Sequence, residues 1–286
     1  MRRISIIFLV LLCQLVYGQD SLRQKRLKPL VIAGAATYAV SLVALDRMWY
    51  ADFERQSFQF FNDNSEWQQL DKMGHFFSSF HISKVSHRGL KWAGVSEKKA
   101  ILYGSLVSAI VLTPIEILDG FSAEYGASAG DLIANTSGAI FFASQQLLWQ
   151  EVRVHVKYSF NRSDYAPLRP ELLGNSLAEE IVKDYNAHTH WLSIDLSKFH
   201  HAIPRWLNIA IGYGGTGMVY ATEQQNISNG YRPLRRWYIG MDLDLNEYKT
   251  TSRVLNTALY LINMIRIPAP AFEYSDGNFR FHTFSY

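Results

Sequence analysis

Ala100 to Asp119 reads AILYGSLVSAIVLTPIEILD. No Asp, Glu, Lys, Arg or His interrupts it before Glu116. Behind Ser96, a residue type suited to an N-cap, this run predicts a helix over residues 97–118. A helix of some 22 residues reaches about 33 Å, enough to cross a bilayer. Pro114 predicts a kink that frees a carbonyl one turn back, near Ile110. Glu116 and Asp119 follow the kink at i, i+3 and share a face, and Gly120 is a C-terminal stop. A carboxylate in an apolar helix is expensive to bury, so it pairs, binds an ion or does chemistry. The stretch therefore predicts a membrane-associated helical domain with a polar site inside it.

Three neighbouring segments extend that domain. Pro29 opens an apolar, Ala- and Val-rich run over residues 30–45, closed by Asp46-Arg47 with Trp49 and Tyr50 at an interface-like position; its length is at the lower limit for a span. Ser65-Glu66-Trp67-Gln68 has the form of a capping box, which predicts a second helix over residues 66–92. That helix carries Asp71-Lys72-Met73-Gly74-His75, His81 and Lys84, so it is amphipathic. Ser128-Ala129-Gly130-Asp131 then opens a helix over residues 130–150, rich in small residues that permit close helix contact. Asp131, Asn135 and Gly138 fall on one stripe of it. The fold class that follows is mainly α. A four-helix membrane-associated bundle over residues 30–150 precedes a smaller C-terminal α+β region of antiparallel strands.

After about residue 155 the patterning changes. Pro167 and Pro170 mark residues 151–186 as a linker with one short helix, 171–185. Period-two segments at 190–196, 206–213, 236–245 and 279–286 read as strands, and 254–265 as a helix. Gly212, Gly214, Gly215 and Gly217 read as a loose bend that lacks the strand-to-helix setting of a nucleotide loop. The final Tyr286 is the terminal aromatic that outer-membrane barrels carry. Four or five strands fall short of the roughly eight a single-chain barrel needs. A small sheet packed on the helices or on a membrane surface is the expectation.

The N-terminus has the form of an export signal: Arg2-Arg3, an apolar run from Ile4 to Leu15, and Val16-Tyr17-Gly18 before Gln19. Cleavage there leaves no cysteine, because the single one is Cys13. The formal charge is +3, and without the two signal arginines it is 3 − 2 = +1, which excludes an electrostatic nucleic-acid footprint. The partner expected is membrane lipid, in the envelope of a Gram-negative cell.

Asp71 and His75 lie at i, i+4. They suit a divalent metal site completed by Glu116, Asp119 or Asp131. They equally suit a carboxylate–imidazole pair for general base work, or a buried network, with Lys72 in it, that holds helices in register. Glu116 is the strongest functional candidate, since no cap explains it. Ser128 is read first as a cap and Asn135 as a helix–helix hydrogen bond. His188, His190, His200 and His201 read as solvated loop and interface residues, and Trp191, Trp206 and Trp237 as an interfacial belt. Two functions remain open: an envelope protein whose acidic–histidine cluster is structural or binds a polar head group, and a membrane-embedded, metal-dependent hydrolase or transferase of a lipid or glycan precursor. In the second, Asp71 and His75 supply base or ligand, and Glu116, Asp119 and Asp131 further ligands or acid.

Asp71-Lys72 with His75-Phe76, Glu116 with Asp119, and Gly126 with Ser128, Asp131 and Gly138 together resemble the YfiM-like family of predicted periplasmic lipoproteins of unknown function. The similarity covers residues 65–150. The same region is more faintly similar to VanZ-like membrane proteins. Leu12, where a small residue should precede a lipidated cysteine, departs from the lipoprotein pattern. The strand-rich half resembles longer relatives from Bacteroidetes-type bacteria. The resemblance implies location and architecture but no reaction.

Overall fold

In the computed structural model, residues 21–50 and 53–285 are described. The signal segment 1–18 with Cys13, and the terminal Tyr286, lie outside the described residues. The chain divides into two units. One holds residues up to Asn62 with Ser78–Gln150; the other holds Asp63–Phe77 with residues from Glu151 on.

The first unit is helical. α1 spans Ser21–Leu45 and runs into a π-helical turn, Asp46–Tyr50. Pro29 sits inside α1 instead of opening it. The preceding Leu, Arg, Gln and Lys residues are good helix formers and extend the helix backwards. α2 spans Leu70–Trp92, α3 Glu97–Gly120 and α4 Ala129–Trp149. Leu27 of α1 packs with Leu90, Ala93, Val95 and Ala100 in one buried cluster. Gly104 lets α3 approach α2 closely, because a Cβ there would lie 2.8 Å from the His87 backbone nitrogen. α3 continues through Pro114. Residues 56–61 run beside the end of α3, with Gln59 and Phe61 N–H donating to the Gly120 and Ala127 carbonyls.

The capping box expected at Ser65 does not form. Its side chain makes no cap hydrogen bond, and residues Glu66–Gln69 make a 3-10 turn before α2 starts. Trp67, Gln68 and Gln69 all have left-handed backbones, with φ of 46°, 51° and 62°. Such conformations cost of order 1 kcal/mol or more each, so bonds elsewhere must hold them. Trp67 N–H donates to the Ala221 carbonyl, and the Tyr213 hydroxyl donates to the Gln68 carbonyl. Long-range bonds within the second unit thus override the local capping preference.

The second unit is built on six antiparallel strands in sequential order. They are β1 Val154–Phe160, β2 His188–Ile194, β3 Leu207–Thr216, β4 Leu234–Leu243, β5 Ala269–Ser275 and β6 Asn278–Ser285. This exceeds the expected four or five. β1 lies in the segment read as a linker, and β5 begins just after Pro268 and contains Pro270, a residue that argues against a strand. The expected helix over 171–185 is two short ones, α5 Pro170–Leu173 and α6 Leu177–Lys183, broken at Gly174 with φ +106°. α7 (Glu223–Ser228) and α8 (Arg253–Ile262) lie between later strands.

The glycines of β3 are not a loose bend. A Cβ at Gly212 would stand 2.6 Å from the Trp191 ring, so the strand is bare there to admit the indole. Trp191 is accordingly not part of an interfacial belt. It is fully buried, its indole donates to the Ser159 hydroxyl, and the Arg266 guanidinium stacks 3.9 Å from its ring. Trp206 and Trp237 remain exposed.

Candidate functional site

In the second unit the polar site grows from the first turns of α2. Asp71 Oδ1 accepts the Tyr185 hydroxyl at 2.7 Å, and Asp71 Oδ2 faces the Lys72 ammonium at 3.1 Å. Lys72 bridges onward to Asp63 at 2.6 Å. His75 Nε2 stands 3.7 Å from Asp71 Oδ1, an electrostatic contact beyond hydrogen-bond length. Burial pushes the Asp71 carboxyl upward, but His75, Lys72 and the Tyr185 hydroxyl outweigh it and hold it below the usual carboxylate range. At neutral pH Asp71 is therefore an anion shared among a cation, a phenol and an imidazole.

An aromatic wall stands beside it. Tyr185 stacks near Trp67, with ring centroids 5.5 Å apart, and meets the His188 ring edge-on at 5.4 Å. Tyr158 packs on His188 and His190, and Phe77 of α2 packs on Tyr158 and His190. The two histidines are buried, contrary to the expectation of solvated loop residues. Burial lowers His188 to about 4, and burial with the His188 charge lowers His190 to about 3. Both are neutral imidazoles at physiological pH. His200 and His201 are exposed, as expected.

In the first unit the acidic side chains tie helices together. Glu116 of α3 is buried and accepts from Asn135 Nδ2 of α4 at 3.3 Å. Asn135 is thus the helix–helix bond anticipated for it, and its carbonyl also accepts the Ser79 hydroxyl of α2. Ser79 and Ser108 link α2 to α3 at 3.1 Å. Asp119 accepts the Tyr50 hydroxyl at 2.6 Å. Ser128 caps α4, its hydroxyl accepting the Asp131 N–H at 3.3 Å, and the Asp131 side chain is buried at that helix start. Glu116 and Asp119, expected on one face, take their bonds from different helical segments.

The arrangement bears unequally on the three chemistries. Asp71 and His75 offer one carboxylate and one imidazole, two of the three protein ligands that a catalytic zinc site carries. An Asp–His dyad for base work needs the carboxylate to orient the imidazole through a hydrogen bond. Here Asp71 gives its short bonds to Tyr185 and Lys72 instead. A hydrogen-bonded network around one part-buried carboxylate is the chemistry these distances describe. Tyr185 and Asp63 were not among the residues singled out by sequence, whereas His188 and His190 were singled out but read as solvated. Tyr185 lies 114 positions from Asp71, so no local spacing signals it.

Neither a curated protein nor a solved structure matches the chain. Residues 59–146, which hold Asp63, Asp71, Lys72, His75, Glu116, Asp119, Asp131 and Asn135, match the model of a family described as predicted periplasmic lipoprotein (DUF2279).

Proposed function

We propose that this chain is an exported cell-envelope protein without catalytic chemistry at Asp71. The Asp71 network fastens the start of α2 to its own sheet unit, and His75, at the network's rim, meets a polar head group. One observation carries the reading: a single carboxylate serves Lys72, Tyr185 and His75 at once. Such a group is occupied structurally, and removing a charged hydrogen-bond partner from a part-buried network is destabilising. The family description supports export and an envelope location.

Metal content and stability of the purified protein test this, measured beside an Asp71→Asn/His75→Ala variant. The expectation is no stoichiometric metal in either protein and a variant less stable by roughly 1.5–3 kcal/mol. A stoichiometric transition metal in the parent, lost from an equally stable variant, would overturn the proposal in favour of a metal-dependent hydrolase or transferase. Glu116→Gln and Asp131→Asn, measured for metal in the same way, report whether acidic residues of the first unit belong to such a site.

A further inference from the structure

The C-terminal sheet buries charged and polar groups on its inner side, beside the cluster of Trp191, Ala210, Tyr238 and Ala271, and is apolar without. Inward, Lys157 and Asp242 form a 2.7 Å ion pair with no exposure on either side chain, and Ser193 and Asn208 complete it. Arg266 is buried beside them and donates to the carbonyls of Met241, Ala269 and Ser285. The outward side of β3–β6 is the reverse. Ile211, Ile239, Phe272 and Phe281 pair in register across four strands as one apolar row. Two positions along, Trp237 and Tyr274 pair within a second row that is entirely aromatic, flanked by Tyr213 and Phe279. Apart from Tyr213, which is half-buried with its hydroxyl on the Gln68 carbonyl, these side chains lie open: Ile239 and Phe272 are each 54% exposed and Phe281 59%.

A half-solvated antiparallel sheet turns its apolar side to the core and its polar side to water. Lipid-facing sheets do the opposite and edge the apolar band with aromatics. Along β4 the outward side chains grade in one direction: Arg235 exposed, then Trp237, then Ile239 and Met241. That order matches the depth profile of a leaflet, with cations at anionic phosphates, indoles at the interface and aliphatics below. A protein interface instead rings its apolar centre with a polar rim on every side. From Trp237 to Leu243 the strand rises about 20 Å, comparable with the roughly 25 Å apolar band of membrane sheets. Exposed Trp206 precedes β3 at the far end. We propose that the outward face of β3–β6 rests against the acyl chains of a lipid bilayer, with Arg235 at the phosphate level.

Vesicle binding alone does not test this, because apolar α1 offers the chain a second route to a membrane. Depth at one residue does. The full chain, carrying Cys13→Ser, receives a nitroxide at Ile239→Cys, at Phe272→Cys or, as a water control, at exposed Gln224→Cys. Each is reconstituted into phosphatidylethanolamine–phosphatidylglycerol vesicles after circular dichroism confirms an unchanged fold. Labels at 239 and 272 are expected to collide with dissolved oxygen and lose collisions with a water-soluble nickel chelate, while the label at 224 meets the chelate. Chelate access at 239 and 272 would show a water-facing surface and overturn the proposal. Exclusion of both reagents would overturn it too, showing protein cover by a second copy or another part of the chain.

Discussion

His190 buries an imidazole whose two ring nitrogens have no hydrogen-bond partner among the described residues. Its neighbours are the rings of Phe77, Tyr158 and His188. A buried polar group left unbonded costs about 1–3 kcal/mol, and replacing it by an apolar group of similar shape removes that cost. His190→Phe is therefore expected to raise stability at pH 7 by about 1 kcal/mol in a denaturant titration; a loss would show that the imidazole bonds a ligand. The sign of the pH dependence follows from the lowered histidines. The unfolded chain takes up protons from the ordinary value of 6.5, whereas folded His188 and His190 resist until about 4 and about 3. The unfolded state binds more protons in between, so stability falls as pH drops from 6.5 toward 4. Asp71 acts lower down: its depressed carboxyl contributes stability above the ordinary 3.8 that is lost as pH falls further. Unfolding midpoints from pH 7 to 3 should show His190→Phe flattening the upper limb and Asp71→Asn the lower one. His188 and His190 were read as solvated because nothing in their local spacing shows that Phe77 and Tyr158 cover them.

At the scale of the element, the sheet turns on Lys157 and Asp242. Lys157 of β1 reaches Asp242 at 2.7 Å and the Leu243 carbonyl at the same distance. Removing one member leaves a buried charge alone, so Lys157→Met should cost about 3–5 kcal/mol, whereas Lys157→Met/Asp242→Leu should recover much of that loss. Denaturant midpoints of the two variants check it, and equal losses in both would mean that the site fails to repack around the apolar pair. The same inverted pattern explains why β1 was not legible. Val154-His155-Val156-Lys157 alternates apolar and polar types, yet His155, Val156 and Lys157 are all buried, so a side chain as polar as Lys157 lies where a soluble strand places apolar groups. β5 and β6 were more legible than the reading made of them. Asp276-Gly277, both at positive φ between paired Ser275 and Asn278, is a strong short-range hairpin signal. Helices fared better because length, apolar content and caps agree. α3 begins at the position expected behind Ser96, and Ser128 caps α4 as read. Where local and distant preferences conflict, as at Ser65, the distant bonds prevailed.

For the whole molecule, local patterns do not reveal which residues share a unit. Asp63–Phe77 belongs with the sheet although it lies between helical segments in sequence, and Tyr185 explains why: its bond to Asp71 joins residues whose association only the folded chain displays. The length and apolar content of the helices, by contrast, are visible in composition. Among the described residues two helices are, by length and composition, long and apolar enough to cross a bilayer, with windows of mean hydropathy 1.6 in the α1 region and 1.9 in α3. They differ in cover: none of the α1 window is buried, against 28% of that in α3. Ile32 and Val40 of α1 are 69% and 71% exposed. Each such side chain gains roughly 1.5–3 kcal/mol when taken out of water, and a lysine near the middle of a span costs about 2.5–3.5 kcal/mol. If α1 is the principal anchor, the protein should stay in the membrane pellet through an alkaline carbonate wash, and Ile32→Lys/Val40→Lys should release it. Release of the parent itself would mean that α1 is covered by protein instead of lipid. Retention of the double variant would place the dominant anchorage elsewhere in the chain, and the labels on β4 and β5 would then show whether the sheet supplies it.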